Sequence, residues 1–497
     1  MNIALVRILG DDKYEINTAP RNVGLLYLRD AILKTKSSVR IYHELNELSA
    51  NILIGKGYRV IGFTIHVMNI LETLRVCKYI KEIEPGTHII LGGHHASGSA
   101  DSLIKLDFID SVFIGDSERT IVDFINDIKK KEPKEKYIPK SYDELDFLSY
   151  PEREIVSKVE RIVTSRGCPF SCTFCTTPMM RRLAKEPTYR ERSPKNVVDE
   201  IEYLVNNGAK RIVFNDDIFC LSSTKSHNRI LEIAEGIIKR NITVSYKVQL
   251  RVDSITDKDK NLIGRLRESG LREVFLGIES GSENMLDSFK KNVSLEANLT
   301  AIKLYDDFGI KVNAGNILAT AESTAADVCN SIREFKKMNL AYLLFRRITT
   351  KAVVFPGTDL EEELYQKKYI EKKGHFNIAS YGFLDEKVGI IVGFLEKHLP
   401  YFLSEIGESI FPLRNKALVV HYDEGRKTKV PEILGEWSDK TADFLLSWFE
   451  LIPLEKISEE AFYQDFQRYM DFVKNIQLNL INHVEDVPHP DFYADTF

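Results

Sequence analysis

Short apolar runs alternate with amphipathic stretches along residues 1–150, and this alternation constrains the fold more than any other feature. Residues 24–35 and 70–83 repeat apolar side chains at helical spacing. The runs between and around them are typical of strands buried on both faces: "IALVRIL" (3–9), "VIGFTI" (60–65), "HIILGG" (88–93) and "SVFIGD" (111–116). Strands alternating with helices predict an α/β protein that begins with a Rossmann-like, doubly wound parallel sheet.

The same rhythm continues in a second region, where six strand-then-helix units predict a partial (β/α)6 barrel with its chemistry in the loops after the strands. The charged, proline-interrupted stretch at 129–147 is predicted to be a linker before this barrel. The last 140 or so residues lack glycine-rich turns and have a mostly helical pattern. The predicted domains are therefore a Rossmann-like domain, a barrel and a helical cap, at residues 1–145, 146–357 and 358–497.

Composition narrows the class of protein. A chain of 497 residues is too long for one ordinary core. Its net charge of −5 comes from mixed charges of both signs, so nothing indicates nucleic acid or a membrane surface as a partner. No apolar run approaches the ~20 residues of a membrane span, and the start lacks the features of a signal peptide. We expect a cytoplasmic protein, in which clustered cysteines indicate metal or redox chemistry.

Three of the six cysteines lie within eight positions: Cys168, Cys172 and Cys175, spaced C-x3-C-x2-C with no fourth cysteine nearby. Three thiolates can bind three irons of a cubane cluster and leave the fourth iron open to a small ligand. The location of these cysteines agrees with a cluster site, because they follow the first predicted barrel strand and barrel chemistry lies in the loops after the strands. The alternatives are a structural zinc site, which needs four closed ligands, and three buried, unreactive cysteines.

This spacing after a first barrel strand, with the aromatic Phe174 before the last cysteine, resembles the radical S-adenosylmethionine (SAM) superfamily. The resemblance covers roughly residues 155–357. It implies a [4Fe-4S] cluster on the three cysteines, with the methionyl amine and carboxylate of SAM on the open iron. It also implies cleavage of SAM to a 5′-deoxyadenosyl radical that removes hydrogen from a substrate, and it predicts Phe174 to be a SAM-binding residue.

Other strand ends match the same family. The stretch "FNDD" ends the second barrel strand, where the family binds the methionyl amine, so Asp216 and Asp217 are predicted SAM ligands although the usual Gly-Gly-Glu is absent. Glu279 and Ser280 in "GIESGS" are predicted to meet the ribose and carboxylate of SAM, and Arg251 to pair with the carboxylate. The alternatives are a helix cap for either aspartate and an ordinary salt bridge for Arg251.

Residues 91–124 resemble the cobalamin-binding domain that is fused to many radical SAM enzymes. The family pattern is roughly G-G-x-H-A-T and later G-E-G-E. This chain has "GGHHAS" and "GDSE", so Asp116 replaces glutamate and Ser117 replaces glycine. The D-x-H-x-x-G motif that supplies a histidine to cobalt elsewhere is absent. We therefore predict that His66, after the third strand, lies near the lower face of the corrin; a surface histidine is the alternative.

The resemblance predicts cobalamin-binding residues on three turns of this domain: Thr64, His66, Gly92, Gly93, His95, Gly115 and Glu118. Glycines at such turns let the backbone approach a large ring. A Rossmann module that has lost its ligand is the alternative for the whole domain.

Together the two resemblances imply a cobalamin-dependent radical SAM enzyme. The predicted reaction is C-methylation of an unactivated carbon in a small natural-product or cofactor precursor. The alternatives are a non-methylating enzyme with the same cofactors, catalysing ring contraction, cyclisation or a related rearrangement, and a cobalamin or redox sensor. The expected partners are a small-molecule substrate and a reductant such as flavodoxin or ferredoxin.

Overall fold

The computed structural model describes residues 1–9, 22–46, 48–140, 144–148, 150–345, 350–371, 376, 379–423 and 428–484. The chain divides into two compact units. The first unit contains Met1–Asn207, Asn215–Asp217 and Val354–Ser380; the second contains Gly208–Phe214, Ile218–Val353 and Tyr381–Phe497. The division into domains at 145 and 357 stays a prediction.

A six-stranded parallel sheet forms the core of the first unit, in the order β2-β1-β3-β4-β5-β6. Its strands are β1 Asn2–Ile8, β2 Ser38–Leu45, β3 Val60–Thr64, β4 His88–Gly92, β5 Ser111–Phe113 and β6 Lys136–Tyr137. The helices of this part are Val23–Leu33, Leu48–Leu53 (3-10), Ile70–Ile83, His94–Gly98, Ala100–Leu103 and Thr120–Lys130. The predicted Rossmann-like sheet is confirmed.

Side chains alternate between the two faces of the sheet along each strand, and an apolar cluster covers each face. On β1, Ile3 and Leu5 pack in one apolar cluster, whereas Ala4, Val6 and Ile8 pack in another. This is why the strands read as continuous apolar runs and not as alternating ones.

The predicted linker at 129–147 is wrong in part. The helix Thr120–Lys130 extends into it, and β6 then pairs with β5. Tyr137 is buried and its ring stacks on that of Phe113, with the ring centroids 5.0 Å apart. The buried ring of Tyr137 thus anchors a two-residue strand, although the surrounding charges and prolines give no strand pattern in the sequence. Residues 141–143 lie outside the described residues.

The remaining strands of the first unit precede or follow the cysteines. They are β7 Val159–Ile162, β8 Ser165–Gly167 and β9 Tyr189–Glu191, of which β8 and β9 pair antiparallel. The helices are Thr176–Ala184, Pro194–Asn206 and Asp359–Gln366. The helix predicted at 194–208 is confirmed: proline occupies its first turn, and the Ser193 hydroxyl accepts from the Asn196 amide.

Parallel strands followed by helices also build the second unit. Its strands run in the order β13-β12-β11-β10, with bounds β10 Arg211–Phe214, β11 Ser245–Arg251, β12 Leu271–Glu279 and β13 Lys311–Asn316. The helices among them are Thr224–Lys239, Asp257–Asp259 (3-10), Lys260–Glu268, Glu283–Ser288, Leu295–Asp307 and Ala325–Lys337. The strand-then-helix pattern predicted for the barrel is confirmed.

The sixth predicted barrel strand, at 342–349, is wrong where it is described. Residues Ala341–Phe345 form a 3-10 helix whose five side chains are all buried. A short, continuous apolar run does not distinguish a buried strand from a buried helical turn. Residues 346–349 lie outside the described residues.

The C-terminal region is helical, as predicted. Its segments are Glu386–Phe402, Leu403–Gly407 (π), Glu408–Asp423, Val430–Leu446, Ser447–Leu451 (π), Leu454–Lys456 (3-10) and Glu459–Ile481. Aromatic side chains form much of its core; for example, the rings of Trp437 and Tyr342 stack with centroids 4.7 Å apart. Within the described ranges, no helix has both the length and the apolar character of a membrane span.

Glu200 joins two buried arginines of the first unit. Its Oε2 lies 2.6 Å from Nη1 of Arg192, and its Oε1 lies 3.3 Å from Nη2 of Arg153. All three side chains are inaccessible to solvent. Removing one partner of a buried ion pair leaves uncompensated charge, whereas an exposed pair contributes little.

We therefore expect Glu200→Ala to lower the free energy of unfolding by about 3–5 kcal/mol. The matched control is Asp199→Ala on the same helix, which removes the partner of the largely exposed Lys195 and should cost about 0–1 kcal/mol. Urea denaturation followed by circular dichroism measures both variants. Equal losses in the two variants would contradict the assigned role of Glu200.

Candidate active site

The cysteine loop, residues 168–175, connects β8 to the helix Thr176–Ala184. Gly167, which ends β8, has φ +87°, and a Cβ there would lie 2.2 Å from the Thr188 carbonyl oxygen, so only glycine fits. Inside the loop the Cys175 amide donates to the Cys172 carbonyl at 3.1 Å. From the segment Val354–Ser380, the Leu360 amide donates to the Thr173 carbonyl at 2.9 Å. The loop backbone is thus restrained by one hydrogen bond within the loop and by one from the segment Val354–Ser380.

Two carboxylates fix the chain around this loop. Asp216 is buried and accepts from the amides of Thr164 and Ser165, at 2.6 and 3.0 Å, and from the Thr164 hydroxyl at 2.5 Å. Asp217 is exposed and accepts from the Gly167 amide at 2.8 Å and the Thr177 hydroxyl at 2.9 Å. Asp216 therefore orients the strand before the cysteines, whereas Asp217 ties the start of the loop to the helix after it.

Neither aspartate caps the following helix. The helix Thr224–Lys239 is capped by Ser223, whose hydroxyl accepts from the Ser226 amide at 3.3 Å. That alternative is therefore wrong, and the role of both aspartates as SAM ligands stays a prediction. Phe174 is half-buried within the loop, and its role in SAM binding stays a prediction too.

The thiols fit an iron–sulfur cluster by their chemistry and placement. Burial, together with the charges of Asp217 and Cys172, raises the pKa of the Cys175 thiol to about 12, although hydrogen bonds from Thr177 oppose the shift. A buried thiol of this kind is ionised by binding a metal. In the described part of the chain, no three or more His, Cys, Asp or Glu side chains are grouped as ligands of a single metal ion. Cubane ligands differ from such a group, since each thiolate binds its own iron.

The second unit brings three polar residues together near the ends of β11 and β12. Lys291 is buried, and its Nζ lies 3.0 Å from Oε1 of Glu279, which has the unusual φ of +66°. The Lys291 carbonyl accepts from Nη2 of Arg251 at 2.8 Å. A Cβ at Gly277 would lie 2.7 Å from both Lys291 Nζ and Glu279 Oε1, so this glycine makes room for the pair.

Arg251 and Ser280 also have partners within the second unit. The Nε atom of Arg251 donates to Asp253 Oδ1 at 2.9 Å, as the salt-bridge alternative proposed. Ser280 is buried, its hydroxyl lying 3.0 Å from that of Ser331 and accepting from the Ser282 amide at 3.0 Å. Contact of either residue with SAM stays a prediction. Lys291 had no signal in the sequence, because "FKKNV" reads as ordinary surface charge.

The predicted cobalamin residues after β3 and β4 lie on adjacent turns. Thr64 pairs with Gly92 in the sheet. A Cβ at Gly93, φ +103°, would lie 2.7 Å from the Ile65 carbonyl, so the turn requires glycine. His66 is half-buried and its Nδ1 accepts from the Met68 amide at 3.3 Å; its place near the corrin and the surface alternative both stay predictions. His95 is buried on the helix His94–Gly98.

The predicted residues of the third turn have a different environment. Gly115 has φ +75° and a Cβ there would lie 2.5 Å from Cβ of Ala184. Glu118 is buried, and both of its carboxylate oxygens bond the guanidinium of Arg166. A role of either residue in cobalamin binding stays a prediction.

Comparison with known proteins agrees with this geometry. Residues 162–335 match the Radical SAM superfamily. An uncharacterized methyltransferase of Pyrococcus horikoshii is 25% identical over 381 residues, which cover 70% of this chain and 80% of the relative. An anaerobic magnesium-protoporphyrin IX monomethyl ester cyclase of Rubrivivax gelatinosus is 26% identical over 356 residues, covering 65% of this chain and 61% of the relative.

A solved structure extends the likeness in fold. The cobalamin-dependent SAM radical enzyme OxsB, with aqua-cobalamin and SAM bound, has a TM-score of 0.69 over 99% of this chain and 82% of that chain, at 14% identity. A radical SAM domain implies a [4Fe-4S] cluster and SAM as cofactors. Residues 162–335 therefore form a radical SAM domain, and the chain has the fold of the cobalamin-dependent SAM radical enzyme OxsB.

Proposed function

We propose that the protein is a cobalamin-dependent radical SAM C-methyltransferase acting on an unactivated carbon of a small natural-product or cofactor precursor. One contact carries this proposal: His94 Nδ1, on the glycine-rich turn after β4, lies 2.9 Å from the Thr176 hydroxyl, next to Cys175. The edge proposed for cobalamin and the loop proposed for the cluster thus adjoin within the first unit. Methyl transfer between two cofactors needs this proximity.

Gly92 supports the assignment of this edge to a large ring. A Cβ at Gly92 would meet only Cβ of Phe113, at 3.8 Å, which is an ordinary contact. The backbone of Gly92 also lacks the positive φ that favours glycine. This turn therefore leaves space for the approach of a ligand, which supports the proposed cobalamin edge.

In this proposal the chain's own residues hold and orient the reactants. When bound, the cluster with SAM supplies hydrogen removal and cobalamin supplies a methyl carrier. Cys168, Cys172 and Cys175 hold three irons. The exposed carboxylate of Asp217, beside the loop, would hold the methionyl amine of SAM with the acceptor sites that the Gly167 amide and the Thr177 hydroxyl leave free. Within the second unit, the Glu279 carboxylate, fixed by Lys291, is proposed as a further SAM ligand.

The relatives support methylation and also one alternative. A relative named as a methyltransferase favours C-methylation, whereas a relative at similar identity is named as a cyclase. The second candidate is accordingly oxidative cyclisation with the same cofactors.

Changing Cys168, Cys172 and Cys175 together to alanine should abolish the brown colour and reduce iron to background, because the cluster loses all its protein ligands. The protein is reconstituted anaerobically, and iron is counted per chain. The control is Cys329→Ala, which removes a buried cysteine of the helix Ala325–Lys337 and should leave iron unchanged. A full iron load in the triple variant would show that other residues bind the cluster.

Lys291→Met should weaken SAM binding roughly tenfold to a hundredfold, because a charged hydrogen bond of about 1.5–3 kcal/mol that orients Glu279 is lost. The control is Lys290→Met, which changes the neighbouring, exposed lysine. Isothermal titration of SAM into the reconstituted protein measures both variants, with thermal melting as a check on folding. Unchanged affinity in a folded Lys291→Met protein would remove Glu279 from the SAM site.

The reaction itself is tested by the fate of labelled methyl groups. The reconstituted protein receives cobalamin, a reductant, SAM with a trideuterated methyl group, and a small-molecule extract of its source cells. We expect one compound to exchange a hydrogen for the labelled methyl, together with 5′-deoxyadenosine, as seen by mass spectrometry. A product that has lost two hydrogens without label would support the cyclisation candidate instead. Absence of 5′-deoxyadenosine would contradict both.

A further inference from the structure

The turn after β5, residues 115–118, carries two buried carboxylates that face arginines of the cysteine-bearing segment. Asp116 and Glu118 have side chains that are only 9% and 8% exposed. Their partners are Arg166, Arg181 and Arg190. The motif that resembles the cobalamin domain thus makes its strongest contacts with another part of the first unit.

The three arginines flank the cysteine loop in the chain. Arg166 lies on β8, two residues before Cys168. Arg181 lies on the helix Thr176–Ala184, which begins directly after Cys175. Arg190 lies on β9, directly opposite Arg166 in the antiparallel pair. The carboxylates of one turn therefore hold the elements on both sides of the loop.

The pair of Glu118 and Arg166 is bidentate. Nη1 of Arg166 donates to Oε2 of Glu118 at 3.0 Å, and Nη2 donates to Oε1 at 2.5 Å. Two parallel charged hydrogen bonds fix the orientation of both groups as well as their separation. This bidentate pair holds the turn after β5 against β8, directly before the cysteine loop.

Asp116 bridges the other two arginines. Its carboxylate accepts from the Arg181 guanidinium at 3.1 and 3.2 Å and from Nη2 of Arg190 at 2.7 Å. Burial raises the pKa of Asp116, but the charges of Arg166, Arg181 and Arg190 outweigh it, so the pKa lies well below its ordinary value. Asp116 is consequently ionised at any pH at which the protein works.

A third acid completes the cluster at the end of the helix Thr176–Ala184. Oε2 of Glu186 lies 2.5 Å from Nη1 of Arg181, and the Glu186 side chain is fully buried. Close packing also holds this turn against the helix Thr176–Ala184, because the space beside Gly115 is filled by Ala184 and admits no side chain. Buried ion pairs contribute little net stability compared with apolar packing, and their best-attested use is to specify geometry.

We infer that Asp116 and Glu118 are positioning residues for the iron–sulfur cluster, which hold the two ends of the cysteine loop in register through Arg181 and Arg166. The inference rests on the proposed binding of the cluster by Cys168, Cys172 and Cys175. It links the turn after β5 to the proposed cluster site.

The test uses the full-length, reconstituted protein and the variants Glu118→Gln and Asp116→Asn. Loss of groups that orient metal ligands typically costs tenfold to a hundredfold in metal affinity. We therefore expect an iron chelator to strip the cluster about 10 to 100 times faster from both variants than from the unchanged protein. The electron paramagnetic resonance spectrum of the reduced cluster should also change. The control is Glu132→Gln, an exposed carboxylate of the same unit, which should alter neither measurement.

Arg166→Lys covers the case in which the carboxylate variants fail to fold. Lysine keeps the charge and loses the bidentate geometry, so the chain should fold and still release its cluster faster. Chelation rates and spectra equal to those of the unchanged protein in all folded variants would overturn the inference. So would a Glu118→Gln protein that keeps its cluster kinetics but no longer shows the visible spectrum of bound cobalamin. A parent protein that binds no iron would overturn the proposed function and this inference with it.

Discussion

The carboxylate of Asp216 accepts three hydrogen bonds from Thr164 and Ser165, and the placement of the cysteine loop depends on them. These bonds fix the chain where it turns from β7 into β8, just before the first cysteine. The exposed Asp217 extends the same restraint to Gly167 and Thr177. Polar anchors at its ends thus contribute to the placement of a loop whose three thiols are proposed to bind one cluster.

In both units, a charged side chain is held in place by an oppositely charged side chain beside it. In the first unit, carboxylates at a turn hold arginines on either side of the loop. In the second unit, Lys291 holds the carboxylate of Glu279 in a space that Gly277 and Gly315 leave open. In both places a charged side chain is oriented by another that does not itself need to touch a reactant. The residues proposed to position the site therefore extend well beyond the cysteine motif.

Local patterns predicted much of this structure. The helix Ile70–Ile83 has the bounds expected from its periodicity, and the buried strands of the first sheet appear where continuous apolar runs occur. The cysteine spacing located the loop, because three of the six cysteines lie within eight positions of the chain. Such features depend only on neighbours along the chain.

The features that sequence reasoning missed depend on partners far apart in the chain. Lys291 pairs with Glu279 across a turn, and Glu118 pairs with Arg166 on another element. The short strand Lys136–Tyr137 exists because one ring finds Phe113, and residues 341–345 became helical although their composition suits a strand as well. No periodicity records these pairings, since each is made by tertiary contact.

The hydrogen bond from the Leu360 amide to the Thr173 carbonyl has a consequence for biosynthesis. The cysteines emerge from the ribosome well before residue 360 does, so a nascent chain carries a loop that lacks one of its backbone restraints. Domains generally fold as units during synthesis, and the unit that contains this loop includes the segment Val354–Ser380. The loop therefore has all of the backbone restraints described above only after residue 360 has been translated.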